Sequence, residues 1–436
     1  MDNKTAFNEG VMDARTLGIP KMTVLGLQHM FAMFGATVLV PAITGLSVSA
    51  TLLFAGLGTL LFHLICKWQV PAFLGSSFAF IGGYAAVTEM GKSAGLSVAE
   101  SLPYACVGVA CAGLLYFVLA GCIKAYGVQK VMKFFPPVVT GPIIIAIGLT
   151  LSGSAIANCT ANWGIAALAI ILVVISNIYG RGMIKIIPIL IGVVGSYAVA
   201  ACLGQVDFSH VSEAAWIGLP FKAEDTVLPV FQNPDTSLLL SSIICVMPIA
   251  LATMLEHIGD ICAISSTVGR NYLSKPGLHR TLVGDGLATI AASLFGAPAN
   301  TTYGENTGVL NLTRVFDPRV IRIAACFAIL FSFSPKFSAL VSSMPTATIG
   351  GVSLVLYGMI AAVGVRNIVE SQVDFKKSRN VIIAALILVL AIGIKYGNND
   401  AISIGFTSLS GLAVAAIVGI LLNAILPGKD YTFKKD

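Results

Sequence analysis

Residues 298–308 read Pro-Ala-Asn-Thr-Thr-Tyr-Gly-Glu-Asn-Thr-Gly, a polar stretch set between apolar runs of the chain. A second polar break, Gly75-Ser76-Ser77-Phe78, lies 228 residues before Tyr303-Gly304-Glu305-Asn306. Extended backbone facing lipid would leave N–H and C=O groups unpaired at several kcal/mol each, so both breaks must line a cavity enclosed by protein. The sequence therefore predicts two interrupted membrane spans that border one interior site.

The composition places the whole chain in a membrane. Of its 436 residues, 56% are hydrophobic and 11% are charged, and the mean hydropathy is +0.90. A soluble globular chain carries about 25% charged residues, so a soluble enzyme is excluded. The nine cysteines lie mostly in apolar runs and contain no Cys-x-x-Cys pair, which argues against a disulfide framework or a zinc site. The net charge of +6 comes from basic residues spread over loops, so it does not indicate nucleic-acid binding.

Fourteen runs are long and apolar enough to be candidate spans, given that a membrane helix needs about 20 mostly apolar residues. They lie near residues 22–45, 47–66, 71–88, 100–123, 135–156, 162–180, 184–204, 237–262, 280–296, 298–313, 318–335, 339–364, 380–397 and 402–426. The third and the tenth runs are short and contain the two polar breaks. The predicted fold class is an all-α polytopic membrane protein with fourteen transmembrane segments.

The basic residues support an even number of spans. With both termini in the cytoplasm, the inside segments hold 22 of the 26 Lys and Arg residues, and the outside segments keep only 4. Such an asymmetry is what the positive-inside rule predicts, and an odd number of spans would remove it. The one sizeable outside loop, residues 205–236, is acidic.

A duplication divides the chain into two halves. Leu27-Gln28-His29 is echoed by Leu255-Glu256-His257 at the same offset of 228 that relates the two polar breaks. Each half would have seven spans. Because seven is an odd number, the second half must enter the membrane from the opposite side, which gives the inverted repeat of many secondary transporters. The predicted segments are a cytoplasmic N-terminus, a first repeat, an extracytoplasmic loop, a second repeat and a cytoplasmic C-terminus, at residues 1–21, 22–204, 205–236, 237–426 and 427–436.

Four acidic residues lie inside predicted spans: Glu256, Asp260, Asp285 and Glu305. A charge at the centre of a bilayer costs at least about 2.5–3.5 kcal/mol, so these residues are functional candidates. Glu256 and Asp260 are four residues apart and share one helix face. Structural alternatives stay open: Glu305 could bond its own interrupted backbone, and Glu256 could pair with His29 or His257. Asp260 could sit toward the cytoplasmic end of its helix, and Asp285 could pair with a basic residue near the start of its helix.

This donor and acceptor set suits a neutral, planar ligand. Carboxylates accept from ring N–H groups, and free backbone N–H groups donate to ring carbonyls, as a pyrimidine or purine base requires. A carboxyl group in an apolar pocket can also hold and release a proton, so binding and proton movement would use overlapping residues. The expected energy source is the proton gradient, with no cofactor and no metal.

The motifs Gln28-His29, Leu74-Gly75-Ser76-Ser77-Phe78, Glu256-His257-Ile258-Gly259-Asp260 and Tyr303-Gly304-Glu305-Asn306-Thr307-Gly308 resemble those of the nucleobase–ascorbate transporters, a family that includes the bacterial uracil permeases. The resemblance runs over residues 20–426. It implies two inverted repeats of seven spans, with short antiparallel strands in spans 3 and 10. It also implies a core domain of spans 1–4 and 8–11 and a gate domain of spans 5–7 and 12–14.

The resemblance also implies roles for individual residues. Glu256 and Glu305 would bind the base, and the N–H groups of Phe78 and Gly304 would donate to its carbonyls. Glu256, Asp260 and Glu305 are the candidates for proton coupling. The other implied binding residues are Tyr303, Ser77 and the gate-side Tyr357, and the implied supporting residues are His29, Gln28 and Asn306.

The function expected from these residues is uracil import by proton symport across a bacterial inner membrane. The resemblance implies that Glu305 goes with uracil, whereas Asp260 stands where the best-known bacterial uracil carrier has histidine. Aspartate there resembles the purine-type members, so xanthine or urate is the alternative substrate. An anion transporter of the same fold would need a basic or uncharged site where this chain has Glu305. An enzyme would need a nucleophile–base pair or metal ligands, which the motifs do not provide. Family members also suggest a homodimer formed through the gate domain.

Overall fold

Most of the chain is helical in the computed structural model, which describes residues 10–232, 234–397, 401–404 and 407–428. We number the main helices as follows: α1 Ile19–Thr44, α2 Val48–Ile65, α3 Ile81–Ser93, α4 Val98–Tyr126, α5 Pro137–Cys159, α6 Trp163–Tyr179, α7 Pro188–Cys202, α8 Thr236–Val246, α9 Ala250–Val268, α10 Leu278–Leu294, α11 Gly304–Thr313, α12 Pro318–Ser332, α13 Pro335–Ser342, α14 Thr346–Glu370, α15 Ser378–Gly397 and α16 Gly411–Ile425. Shorter helical segments are Val128–Met132, Met183–Ile186, Ser209–Glu213 and Leu228–Gln232.

Several of these helices have the length and composition of membrane spans. Within the described residues, seven are long and apolar enough when α8 and α9 count as one, and an eighth is added if the bent pair α12–α13 is a single span. Three shorter apolar helices, α6, α7 and α16, have 15 to 17 residues. The chain is therefore built around a set of apolar membrane helices.

Both polar breaks contain short strands. β1, Leu74–Ser76, pairs antiparallel with β2, Asn300–Thr302, and Gly75 lies opposite Thr301. The pairing continues past both ends, because Ser77 N–H donates to Ala299 C=O at 2.7 Å and Tyr303 N–H donates to Phe73 C=O at 3.0 Å. Every strand residue is buried. The extended backbone thus finds its hydrogen-bond partners inside the protein, as the lipid environment demands.

A threonine from the preceding helix secures each strand. Thr59 on α2 accepts from Leu74 N–H at 2.9 Å and lies 3.3 Å from Leu74 C=O, to which its hydroxyl donates. Thr289 on α10 donates to Asn300 C=O at 2.9 Å. The two halves of the chain therefore hold their strands by the same kind of contact.

The helices pack in two groups. The first group comprises α1–α4 and α8–α12, in which α4 packs on α10 and α2 packs on α12. The second group comprises α5–α7 and α14–α16, in which α5 and α14 pack most extensively on each other. The paired strands lie in the first group, between α1, α2, α9 and α10.

Three local features differ from the helical runs expected from hydropathy. The run at 237–262 is interrupted by a 3₁₀ turn at Met247–Ile249, where Pro248 supplies no N–H for a helical bond. The chain bends by 87° between α12 and α13, where two straight runs at 318–335 and 339–364 were expected. The run at 402–426 begins as a hairpin of β3, Ala401–Ile404, and β4, Thr407–Ser410, and becomes helical only at Gly411.

The N-terminal segment is bound to the corner between α11 and α12. Val11 N–H donates to Arg314 C=O at 2.7 Å, and Arg319 forms an ion pair with Asp13 at 2.9 Å. Hydrogen bonds from Arg15 hold the pKa of Asp13 at about 2, so its carboxylate stays charged for this contact. Residues 1–9 and 429–436, which include four of the basic residues assigned to the cytoplasm, lie outside the described residues.

Candidate functional site

An open space adjoins the junction between β2 and α11. Gly304 is the first residue of α11 and is exposed, and a Cβ placed on it would meet no atom within 4 Å. The N–H groups of a first helical turn have no partner within the helix, and the positive end of the helix dipole lies there. This junction therefore offers hydrogen-bond donors to a ligand in the open space.

Carboxyl groups from two helices lie beside this junction. Glu256 and Asp260 on α9 and Glu305 on α11 are all partly exposed. Asp260, Asp285 and Glu305 all lie close enough to Glu256 for their carboxyl groups to interact with it electrostatically. Thr302 Oγ1 on β2 donates to Asp260 Oδ2 at 2.8 Å, which ties α9 to the strand pair. The four acidic residues singled out from the sequence thus lie in one region.

The hydroxyl of Tyr303 forms hydrogen bonds at the strand pair. It donates to Ser76 C=O at 2.8 Å, and Ser76 Oγ and Thr37 Oγ1 lie 3.1 and 3.3 Å away. The ring of Tyr303 lies against Gly75, where a Cβ would come within 2.5 Å of the tyrosine Cζ. Tyr303 is only 4% exposed, and its contacts with β1 and α1 are structural.

Ser77 and Phe78 follow the first strand, on the side that faces the second helix group. The backbone N–H of Ser77 is used in the strand pairing, and its buried Oγ has no hydrogen-bond partner among the described residues. The Phe78 ring stands edge-on to Tyr357 of α14, with centroids 6.2 Å apart and an interplanar angle of 74°. Phe78 and Tyr357 therefore meet where the two helix groups face each other.

A contact between His29 and Asn306 connects α1 to the first turn of α11. Asn306 Nδ2 donates to His29 C=O at 3.0 Å and lies 3.2 Å from His29 Nδ1. Gln28 is partly buried, and its Oε1 has no hydrogen-bond partner within the described part of the chain. The contact with His29 fixes the orientation of the turn that carries Glu305.

A buried contact between a histidine and an aspartate lies next to Glu256, and the sequence did not indicate that these two residues pair. His257 Nδ1 on α9 is 3.0 Å from Asp285 Oδ2 on α10, and both side chains are 0% exposed. The alternatives considered for His257 were a pair with Glu256 or plain packing in the helix, whereas the structure joins it to Asp285. The two residues are far apart in sequence, and only the mid-span position of Asp285 marked it as unusual.

Comparisons with known proteins agree over almost the whole chain. The Xan_ur_permease model, described as a permease family, matches residues 20–399. The chain is 44% identical to the uracil permease of Bacillus caldolyticus over 96% of its length and 94% of the relative. It is 42% identical to the uracil permease of Bacillus subtilis over 98% of its length and 96% of that relative.

A solved structure shares the fold at low sequence identity. The transmembrane domain of the cyanobacterial bicarbonate transporter BicA superimposes with a TM-score of 0.59 at 15% identity, covering 95% of this chain and 99% of that one. Likeness at this identity concerns the fold alone. With its apolar helices and its match to the family model over residues 20–399, the chain is a multi-pass membrane protein that belongs to the Xan_ur_permease family of permeases.

Proposed function

We propose that this permease imports uracil together with protons. The observation that carries the proposal is the convergence of Glu256 and Glu305 on an open space beside the first turn of α11. The relatives named uracil permease, which match nearly the whole chain at 42–44% identity, support uracil as the substrate. A neutral ring that carries alternating N–H and C=O groups matches carboxylate acceptors and backbone donors in one pocket.

In the proposed complex, the two carboxyl groups bind the edge of the base that carries N–H groups. Glu256 and Glu305 accept from ring N–H, while the N–H groups of Phe78 and Gly304 donate to ring carbonyls. Ser77, Tyr303 and Tyr357 border the bound ring. His29, Gln28 and Asn306 support the site through the contact of Asn306 with His29.

The proposed coupling uses the same carboxyl groups. On the outside, Glu256 or Asp260 takes a proton, and the protonated pocket accepts uracil. The clustering of acidic charge around Glu256 supports this role, since neighbouring carboxylates cannot all stay ionised at low cost. The base and the proton then leave on the inner face, and the gradient drives the cycle without any cofactor.

The proposed architecture has fourteen spans in two inverted repeats, residues 22–204 and 237–426. The first and second helix groups correspond to the proposed core and gate domains, and their separate packing supports this division. The threonine contacts of the two strands support the repeat. We also propose that both termini face the cytoplasm of a bacterial cell, that the protein lies in the inner membrane, and that two copies associate through the gate domain.

Transport of a purine such as xanthine or urate is the second candidate, and Asp260 favours it. The residue lies in the site and is held by Thr302 of β2. An anion transporter of this fold, as suggested by likeness to the bicarbonate carrier, is disfavoured because the open space is bordered by carboxyl groups.

Direct binding separates these alternatives. In isothermal titration of the purified protein, uracil should bind the unaltered chain, and Glu305→Ala should weaken binding about 10- to 100-fold, since hydrogen bonds to charged groups contribute about 1.5–3 kcal/mol. Glu89→Gln, at an exposed carboxylate paired with Lys92, is the matched control and should bind normally. Normal uracil binding by Glu305→Ala would contradict the proposed site.

A further inference from the structure

A strongly exposed apolar segment lies in the loop between α7 and α8. Residues 214–221, Ala-Ala-Trp-Ile-Gly-Leu-Pro-Phe, contain no charge, although the surrounding loop is acidic. Trp216, Ile217 and Leu219 are 75%, 83% and 79% exposed. Contiguous exposed apolar residues of this size mark a surface that meets a partner or a membrane.

The segment is fixed against the end of a membrane helix. Gly218 N–H donates to Phe333 C=O at 2.9 Å, and Lys336 N–H donates to Ala215 C=O at 2.9 Å. These bonds place residues 215–218 on the turn between α12 and α13. The adjacent side chain Leu330 is 67% exposed on the surface of α12, so the apolar surface of the helix continues into the loop.

The segment also has a fixed orientation. Phe221 points inward and packs on Phe295, with ring centroids 5.1 Å apart, whereas Trp216 points outward. Lys336 Nζ lies 4.8 Å from the centroid of the Trp216 ring. A tryptophan beside a lysine at the end of an apolar helix is typical of the membrane–water interface, where the ring lies among the headgroups and the amine reaches water.

We propose that Trp216, Ile217 and Leu219 insert into the interfacial layer of the bilayer and anchor the corner between α12 and α13 to the lipid surface. The bend of 87° supports this, because α13 turns away from the direction of α12 at the turn to which residues 215–218 are bound. The partner is the boundary between headgroups and acyl chains, and the attraction is apolar because residues 214–221 carry no charge. Anchoring should therefore not depend on anionic lipid.

Tryptophan fluorescence in vesicles tests the anchor, because the chain has only three tryptophans. The variant W68F/W163F retains Trp216 as the only one, and W68F/W163F/W216F/E224W moves the fluorophore to an exposed acidic position of the same loop as an aqueous reference. Both are reconstituted in phosphatidylcholine vesicles with bromine near the headgroup or deep in the acyl chain, and then exposed to iodide. If W68F/W163F does not fold, the difference between the unaltered chain and W216F gives the same readout.

The anchor predicts that shallow bromines quench Trp216 more than deep ones, and that iodide quenches it about threefold less than the E224W tryptophan. Adding phosphatidylglycerol should leave this pattern unchanged, and Ile217→Glu with Leu219→Glu should expose Trp216 to iodide. Iodide quenching equal to that of the reference would overturn the proposal. So would protection from iodide without bromine quenching, since another copy of the chain would then cover the segment.

Discussion

Thr302 and Asp260 are joined directly: the Oγ1 of Thr302 donates to the Oδ2 of Asp260 at 2.8 Å. The bond links the second strand to helix α9 within the group of acidic residues. This contact fixes the position of the Asp260 carboxyl group relative to the strand. A change at Thr302 should therefore alter the site without touching any carboxyl group.

We expect Thr302→Val to lower uracil uptake about tenfold, because a carboxyl oxygen that loses its partner costs about 1–3 kcal/mol. Thr302→Ser keeps the hydroxyl and should retain most of the uptake. Initial rates in proteoliposomes, with the amount of folded protein matched by gel filtration, measure the effect. Equal rates for the valine and serine variants would show that this hydrogen bond has no part in transport.

Glu256→Gln tests the proposed coupling. The amide has the shape of the carboxyl group but cannot take up a proton, so stimulation of uracil uptake by an inward proton gradient should be lost. Glu89→Gln, a change at an exposed surface position, should leave the stimulation intact. Undiminished proton dependence in Glu256→Gln would assign the coupled proton to another group.

The two polar breaks could be recognised from the sequence because few structures tolerate a polar break in an apolar run. The backbone of both breaks had to find its hydrogen-bond partners inside the protein, and the structure supplies them by pairing β1 with β2. The predictions of an inverted repeat and of individual binding residues stay predictions, because they depend on orientation in the membrane and on a bound substrate.

Other features of the structure were harder to predict from the sequence. His257 and Asp285 belong to different helices, and a single sequence contains nothing that joins one buried residue to another. Pro248 indicated a possible break in the helix at 237–262, but hydropathy alone does not detect a single proline in an apolar run. In β3 and β4, apolar and polar residues partly alternate as in strands, but the strongly apolar helix that follows obscured this short signal.

The buried pair of His257 and Asp285 should matter for stability. Asp285→Asn or His257→Ala leaves one polar partner buried without its counterpart, which costs about 1–3 kcal/mol. We expect each single variant to lower the melting temperature in detergent. The combined variant should lose less than the sum of the two single losses. Additive losses would mean that the two residues do not stabilise each other.

Two glycines of the site should respond differently to alanine. At Gly75 a Cβ would lie 2.5 Å from Tyr303 Cζ and 2.7 Å from Thr37 Oγ1, so Gly75→Ala should disrupt the strand pair and reduce the yield of folded protein. At Gly304 the Cβ would enter open space, so Gly304→Ala should fold normally and bind uracil more weakly. Gel filtration and titration separate the two effects. Unchanged uracil affinity in a folded Gly304→Ala protein would argue that the open space does not receive the base.

The most direct test is uptake of labelled uracil into proteoliposomes of the purified protein, with and without an inward proton gradient and with excess unlabelled xanthine. Uracil–proton symport predicts accumulation that requires the gradient and that xanthine does not inhibit. Uptake blocked by xanthine would instead indicate a purine-type pocket marked by Asp260. Absence of gradient-driven uracil uptake would contradict the proposed function.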